Sequence, residues 1–253
     1  MSSAATGPVI ARALRIFDAF SAQHPALTLT DLAHRTGLPL STVHRMVADL
    51  LAWGALERDP EGRFHIGLRL WEVGALAPRG QALRERALPY LEDLSQVTHE
   101  NVQLAVREGI EVIFVERIAS SRAVPVLTRV GGRFALTATG VGLVLLAHAP
   151  HDVQEQVLAG PIKSFTPHTV TDPRALNRML AAIRTNGYAI SDRQVTDDAI
   201  SVAAPIHAAN GTVIAAVSIV VRHGSAQPHT LAPLVRSSAR AISRTVTGQA
   251  PTR

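Results

Sequence analysis

Residues 29–50 read LTDLAHRTGLPLSTVHRMVADL, and the reading of the whole chain turns on this stretch. Leu29, Leu32 and Ala33 are apolar at helical spacing, with Thr30 and Asp31 as candidate N-caps. Gly37 can close that helix in a left-handed conformation, and Pro39 blocks its continuation. Ser41 or Thr42 can cap a second helix, in which Val43, Met46, Val47 and Leu50 fall at i, i+3, i+4 and i+7 and make one buried face. The opposite face presents Ser41, Thr42, His44 and Arg45. These are short hydrogen-bonding groups and a cation at a helix start, where a groove-inserted helix meets bases and phosphates. Two readings fit these residues: a helix-turn-helix unit, or an ordinary amphipathic pair in a small bundle.

The next residues favour the first. Residues 55–58 (ALER) and 63–66 (RFHI) are short strand-like runs around Asp59-Pro60-Glu61-Gly62, a strong turn signal. A hairpin directly after a helix-turn-helix is a wing. Arg58 and Arg63 flank its tip, within reach of phosphates or a minor groove. Upstream, residues 9–20 read as a helix with Ile10, Ala13, Leu14 and Phe17 as its apolar stripe. Arg12 on its other side is a phosphate contact or a solvated charge, and Thr30 joins the DNA-facing set at the start of the first helix.

Composition bounds the rest. The chain has 253 residues, 47% of them hydrophobic, enough to bury one large core or two ordinary ones. There is no long charge-free apolar run and no leader-like N-terminus, so a membrane partner is not expected and a cytoplasmic location is. No cysteine is present, which removes disulfides, thiol redox sensing and cysteine-based metal sites. The formal charge is +5, but residues 1–70 carry seven arginines against six acidic residues. Local placement therefore argues for DNA, and net charge does not.

Residues 1–7 are small and polar and expected to fray. Residues 68–74 and 81–98 read as helices that space two modules. From Asn101 the period shifts toward two, with strand-like runs at 102–106, 112–115 and 124–130. Helices are expected at 139–149, 152–159, 174–185 and 231–246, and further strands at 188–191, 200–207 and 213–221. This order predicts an α+β second half with a largely antiparallel sheet.

At this point many segments, in order, resemble the IclR family of bacterial transcriptional regulators. They include ARALRIFDAF, LERDPEGRFHIGLRLWEVG, RERALPYLEDL, VIFVERI, RVGGRFALTATGVG, TPHTVTDP, NGYAISD and VAAPIHAANGTVIAAVSI, and the resemblance runs from about residue 9 to 246. It implies a winged helix-turn-helix at 1–67, linker helices at 68–98 and a GAF-like effector-binding domain at 99–253. It also implies a DNA-binding regulator, taken here as a repressor. Such a homodimer or tetramer would read a palindromic double-stranded operator and respond to a small effector, without a cofactor.

The family's effector pocket maps onto Gly140 and Val141 at the glycine-rich helix start, whose N–H groups suit a carboxylate. Phe134 and Val126 would form walls, with Ser191, Asp192, Ser201, Ser218 and Val220 opposite. The chain departs from the family at several of these positions. Ser191-Asp192 stands where many members have two acidic residues, Ser201 where Cys is frequent, and Val220 where a small polar residue is frequent. Leu40 stands where a basic residue is common, so one phosphate contact is expected to be missing. The less acidic, more apolar pocket favours an aromatic or apolar carboxylate, or a related amide.

Two other function classes have weaker signals. Ser218, His207 and Asp192 can be imagined as a catalytic triad, but no GxSxG elbow exists and nothing orients them, so the chain is not expected to be an enzyme. His148, His151 and His168 are too loosely spaced to argue for a metal sensor.

Overall fold

The computed structural model describes residues 8–121 and 123–248, so residues 1–7, expected to fray, lie outside the described residues. The chain forms two compact units divided between Gln81 and Ala82.

The first unit contains α1 (Val9–Asp18), β1 (Ala26–Leu27), α2 (Leu29–Thr36), α3 (Leu40–Trp53), β2 (Leu56–Arg58), β3 (Phe64–Ile66) and α4 (Leu68–Gly74). Helices α1–α3 close over one core of Ile16, Leu27, Leu32, Val43, Met46, Val47, Leu56 and Phe64. The strands form a small antiparallel sheet in the order β1-β3-β2, which is the wing. Gly37, at φ +67°, ends α2, and Gly54, at φ +83°, ends α3. Gly67 is required for close packing: a Cβ there would lie 2.2 Å from the Gly54 carbonyl oxygen.

Three local expectations are corrected. The N-cap of α2 is Thr28, whose Oγ1 accepts the Asp31 N–H while the Asp31 carboxylate accepts the Thr28 N–H, a reciprocal capping box. Helix α3 starts at Leu40 behind Pro39, so neither Ser41 nor Thr42 caps it. The apolar stripe of α1 is also turned. Ile16 is fully buried, whereas Ile10 and Leu14 are 74% and 55% exposed, because α1 is apolar around more than one face.

The second unit takes most of α5 (Pro78–Thr98), then β4 (Asn101–Glu108), β5 (Glu111–Ile118), β6 (Arg133–Ala135), α6 (Gly140–Ala147), α7 (His151–Ala159), α8 (Pro173–Asn186), β7 (Ala189–Asp192), β8 (Ala199–His207), β9 (Val213–Arg222) and α9 (Pro228–Val246). The strands form one antiparallel sheet in the order β6-β5-β4-β9-β8-β7. Strand alternation sends Val202, Ala204, Ile206, Val217, Ile219 and Val221 to one face, where α5 and α9 cover them. Leu83, Ala87, Leu91 and Leu94 of α5 belong to that core, so the expected spacer helix is also a structural layer of the second unit.

The other face carries small residues, Ala203, Ala216 and Ser218, and α6 lies against it. Every residue of α6 is buried. Its five large aliphatic side chains each stabilise the fold by roughly 1.5–3 kcal/mol. Its first residue is glycine because the sheet is close: a Cβ on Gly140 would lie 2.5 Å from Ser201 Oγ and 3.3 Å from Ala203 Cβ.

The expected strand at 124–130 does not form. Pro125 lacks an N–H, and β6 pairs only with Glu111, Val112 and Ile113 at the start of β5. The segment is instead a strap tied by side chains. Asn101 Nδ2 donates to the Val124 carbonyl (2.6 Å), Gln103 Nε2 to Thr128 Oγ1 (2.5 Å) and Arg117 Nη1 to the Thr128 carbonyl (3.4 Å).

Candidate DNA-facing surface and effector cavity

On α3, burial of Val43, Met46 and Val47 turns Ser41, His44 and Arg45 outward, with Thr42 half-buried beside them. Because Pro39 occupies the cap position, the Ser41 and Thr42 hydroxyls are not spent on capping. Thr30 is exposed in the first turn of α2. Leu40 is 51% exposed and places an apolar group at the start of the outward face.

The wing arginines are both engaged within the hairpin. Arg58 lies over the Phe64 ring at 5.5 Å and donates from Nε to the Gly62 carbonyl at 3.2 Å. Arg63 pairs with Asp59 at 2.9 Å and Glu61 at 3.6 Å. The two cations at the tip are thus matched by two anions. Arg12 is half-buried, and its Nε is buried without a hydrogen-bond partner, so it is not the freely solvated charge the sequence allowed.

In the second unit a small cavity lies between the sheet, the strap and the loop before β8. Val126, Ser191, Ser201 and Val220 line it. So do residues the sequence reading missed: Gln103, Leu127, Thr128, Thr139, Val195, Thr196 and Ala199. None of these side chains is charged.

Sheet register explains the convergence. Ser201 pairs with Val220, and Ser218 pairs with both Gln103 and Ala203, all on the α6 face. The loop at 193–198 is held by Thr166 Oγ1 donating to the Arg193 carbonyl (2.6 Å) and Thr169 Oγ1 to the Gln194 carbonyl (2.7 Å).

Helix α6 begins at this cavity. Thr139 Oγ1 accepts the Gly142 N–H at 3.0 Å, and the Thr139 carbonyl accepts the Leu143 N–H at 2.9 Å. The Gly140 and Val141 N–H groups, the rest of the first turn, have no acceptor among the described residues. Ser218 is fully buried on the same sheet face, and its Oγ also lacks a partner. Unmatched donors beside an uncharged, largely apolar space suit a small anion with an apolar body.

Comparison with known proteins decides the ancestry. Residues 9–60 match the IclR helix-turn-helix domain, and residues 77–244 match the domain described as bacterial transcriptional regulator IclR C-terminal. The chain belongs to the IclR family. It is 34% identical over 237 residues to the HTH-type transcriptional regulator BhcR of Paracoccus denitrificans, covering 92% of this chain and 85% of that one. It is 34% identical over 196 residues to KipR of Bacillus subtilis, covering 77% and 78%. Among solved structures, an IclR homologue from Microbacterium hydrocarbonoxydans complexed with 4-hydroxybenzoate superposes with a TM-score of 0.91 at 38% identity, over 95% of this chain and all of that one. The chain is a transcriptional regulator with an N-terminal helix-turn-helix DNA-binding unit and a C-terminal effector domain, and its relatives are named as regulators rather than enzymes.

Within this IclR fold, five of the nine pocket positions inferred from the family are not among the residues lining the cavity: Gly140 and Ser218, which lie behind its wall, and Val141, Phe134 and Asp192. Val141 is fully buried in the α6 core. Phe134 stacks on Phe165 at 4.8 Å, away from the cavity. Asp192 faces outward, paired with Arg193 (3.1 Å) and His223 (3.3 Å). Strand parity is the reason in the last case: Ser191 points inward and its neighbour must point out. The imagined triad does not converge, since Asp192 pairs with Ile200, Ser218 with Ala203, and His207 with Val213 at the far end of β8. Among the described residues no group of three or more His, Asp or Glu side chains is placed to hold a metal ion, and no helix is long and apolar enough to cross a membrane.

Proposed function

We propose that this IclR-family regulator is a cytoplasmic repressor whose operator affinity is set by a small aromatic carboxylate, or its amide, in the cavity under the strap. The observation that carries the reading is the start of α6: two N–H groups that follow Thr139, and the Ser218 hydroxyl in register with Gln103, lack partners, while Thr139 and Gln103 line a space walled by uncharged side chains. The relative that binds 4-hydroxybenzoate supports the ligand class. Gly140, Val141 (through its N–H), Ser201 and Ser218 would meet the carboxylate, and Val126, Ser191 and Val220 the ring and its substituent. Asp192 and Phe134 are left out of the set.

On the DNA side, Ser41, Thr42, His44 and Arg45 would read the major groove. Thr30, Arg12, Arg58 and Arg63 would meet the backbone, in a homodimer or tetramer on a palindromic site. Ligand and DNA are then linked through their different affinities for two states of the assembly.

The test is thermal melting against a panel of small carboxylates and amides. A ligand specific to the folded state stabilises by about 2.7 kcal/mol at roughly 100 times its Kd. An aromatic acid should raise the melting temperature, and Val126→Phe, which fills the cavity from the exposed strap, should abolish the shift. A shift that survives Val126→Phe puts the ligand elsewhere. A reporter that falls on deletion of the gene overturns repression, and light scattering that finds a monomer overturns the assembly.

A further inference from the structure

The second unit has another concave site that shares no residue with the cavity under the strap. It is an open cleft of about 420 Å³ between β6, the start of β5 and the segment following α7. Its wall is aromatic: the Phe134 and Phe165 rings stack with centroids 4.8 Å apart and planes 24° from parallel. Its cation is Lys163, the only lysine in the chain, whose Nζ sits 5.0 Å from the centre of the Phe165 ring. Among the described residues no carboxylate pairs with that ammonium, whereas the other cation at the cleft, Arg133, is held by Glu111 at 3.0 Å. The cleft therefore keeps one uncompensated positive charge.

A further, independent observation points to a ligand. Thr137 lines the cleft, is only 4% exposed, and its Oγ1 has no hydrogen-bond partner. A buried hydroxyl without a partner is a rare feature in a folded protein.

We propose that this cleft is a second binding site, taking a small ring-bearing carboxylate. The ring packs on the Phe134–Phe165 wall, the carboxylate meets Lys163, and Thr137 Oγ1 gains its missing partner. Ring and charge are both required: Lys163 alone is an exposed surface cation, and an apolar ring alone leaves the charge unmatched. The site stands whether or not the cavity under the strap binds an effector.

The single lysine makes the test direct. The full-length protein is acetylated with an amine-reactive ester, and the rate at Lys163 is followed by peptide mass spectrometry, with the α-amino group as internal reference. Benzoate is the probe and acetate the control for charge without a ring. Benzoate should slow Lys163 acetylation saturably, roughly fivefold at about four times its Kd by mass action. Acetate at the same concentration should not. Phe165→Ala should lose the protection, and Val126→Phe, which blocks the other cavity, should keep it. The proposal is overturned by unchanged reactivity at saturating benzoate, by equal protection from acetate, or by protection that disappears in Val126→Phe. It is equally overturned if reactivity falls with protein concentration whether or not benzoate is present, since a second chain then covers the cleft.

Discussion

Removing the Ser218 hydroxyl should stabilise the empty protein while weakening its response to ligand. Ser218 is fully buried, and its Oγ has no partner. A buried hydroxyl without a hydrogen bond costs about 1–3 kcal/mol. Ser218→Ala removes that cost and leaves a void of one oxygen atom, which returns part of the gain. The net is about +1 kcal/mol, or roughly 2–4 °C in the melting temperature of a unit this size. If Ser218 donates to the bound carboxylate, the lost charge-assisted bond costs roughly 1.5–3 kcal/mol, a rise in Kd of about 10- to 150-fold. The contrast is Ser191→Ala. Its Oγ donates to the Ala138 carbonyl at 2.5 Å, so the same chemical change there should lower the melting temperature. Differential scanning fluorimetry of the free protein and isothermal titration with an aromatic acid measure both quantities. A lower melting temperature in Ser218→Ala with an unchanged Kd would falsify the reasoning, because the hydroxyl would then be satisfied within the fold and remote from the ligand.

Three other perturbations have definite signs. Arg45→Ala removes an exposed cation from the outward face of α3, and operator Kd should rise by roughly 5- to 150-fold if it meets a base; an unchanged Kd by fluorescence anisotropy takes Arg45 off the interface. Glu61→Gln breaks the charge balance at the wing tip, where Arg63 faces Asp59 and Glu61, so binding should tighten and the salt slope steepen by about 0.9 per added phosphate contact; equal affinity at all salt concentrations places the wing away from DNA. His207 has its pKa lowered from the ordinary 6.5, first by burial and then by the nearby His148. A depressed folded-state pKa stabilises above the unfolded value and loses that contribution as pH falls, so the melting temperature should decline below about pH 6.5 and His207→Gln should flatten the decline; parallel curves for both proteins exclude His207 as the cause.

The periodicity of residues 29–50 was enough to place α2 and α3, because a buried face at 3-4 spacing is a local property. Phase was less legible. Both sides of α1 carry aliphatic residues, so only packing decides that Ile16 goes in and Ile10 stays out. The strap is illegible for a similar reason. Its β-branched residues suit a strand, but Pro125 interrupts the run and side chains of β4 and β5 tie the segment down in place of a backbone ladder. The cavity was legible where two adjacent strands pair to supply it, as with Ser201 of β8 and Val220 of β9, and lost where distant segments meet. Gln103 could have been found: it is a lone amide inside the apolar run of β4, and a polar residue on a buried strand needs a partner. Thr128 is that partner, and it pins the strap over the cavity mouth.

Among the described residues, three buried side-chain atoms have no hydrogen-bond partner: Arg12 Nε, Thr137 Oγ1 and Ser218 Oγ. Each works against stability on its own, and none is forced by the fold. Ala replaces Ser218 without a clash, Val matches the shape of Thr137, and α1 would form with another residue at position 12. Groups that a fold could dispense with, yet keeps unpaired, are best explained by partners that arrive from outside. Their positions agree with that explanation: one is on the first helix of the DNA-binding unit, one in the aromatic cleft beside Lys163, and one beneath the start of α6. Binding at each place would then recover a hydrogen bond the free protein lacks.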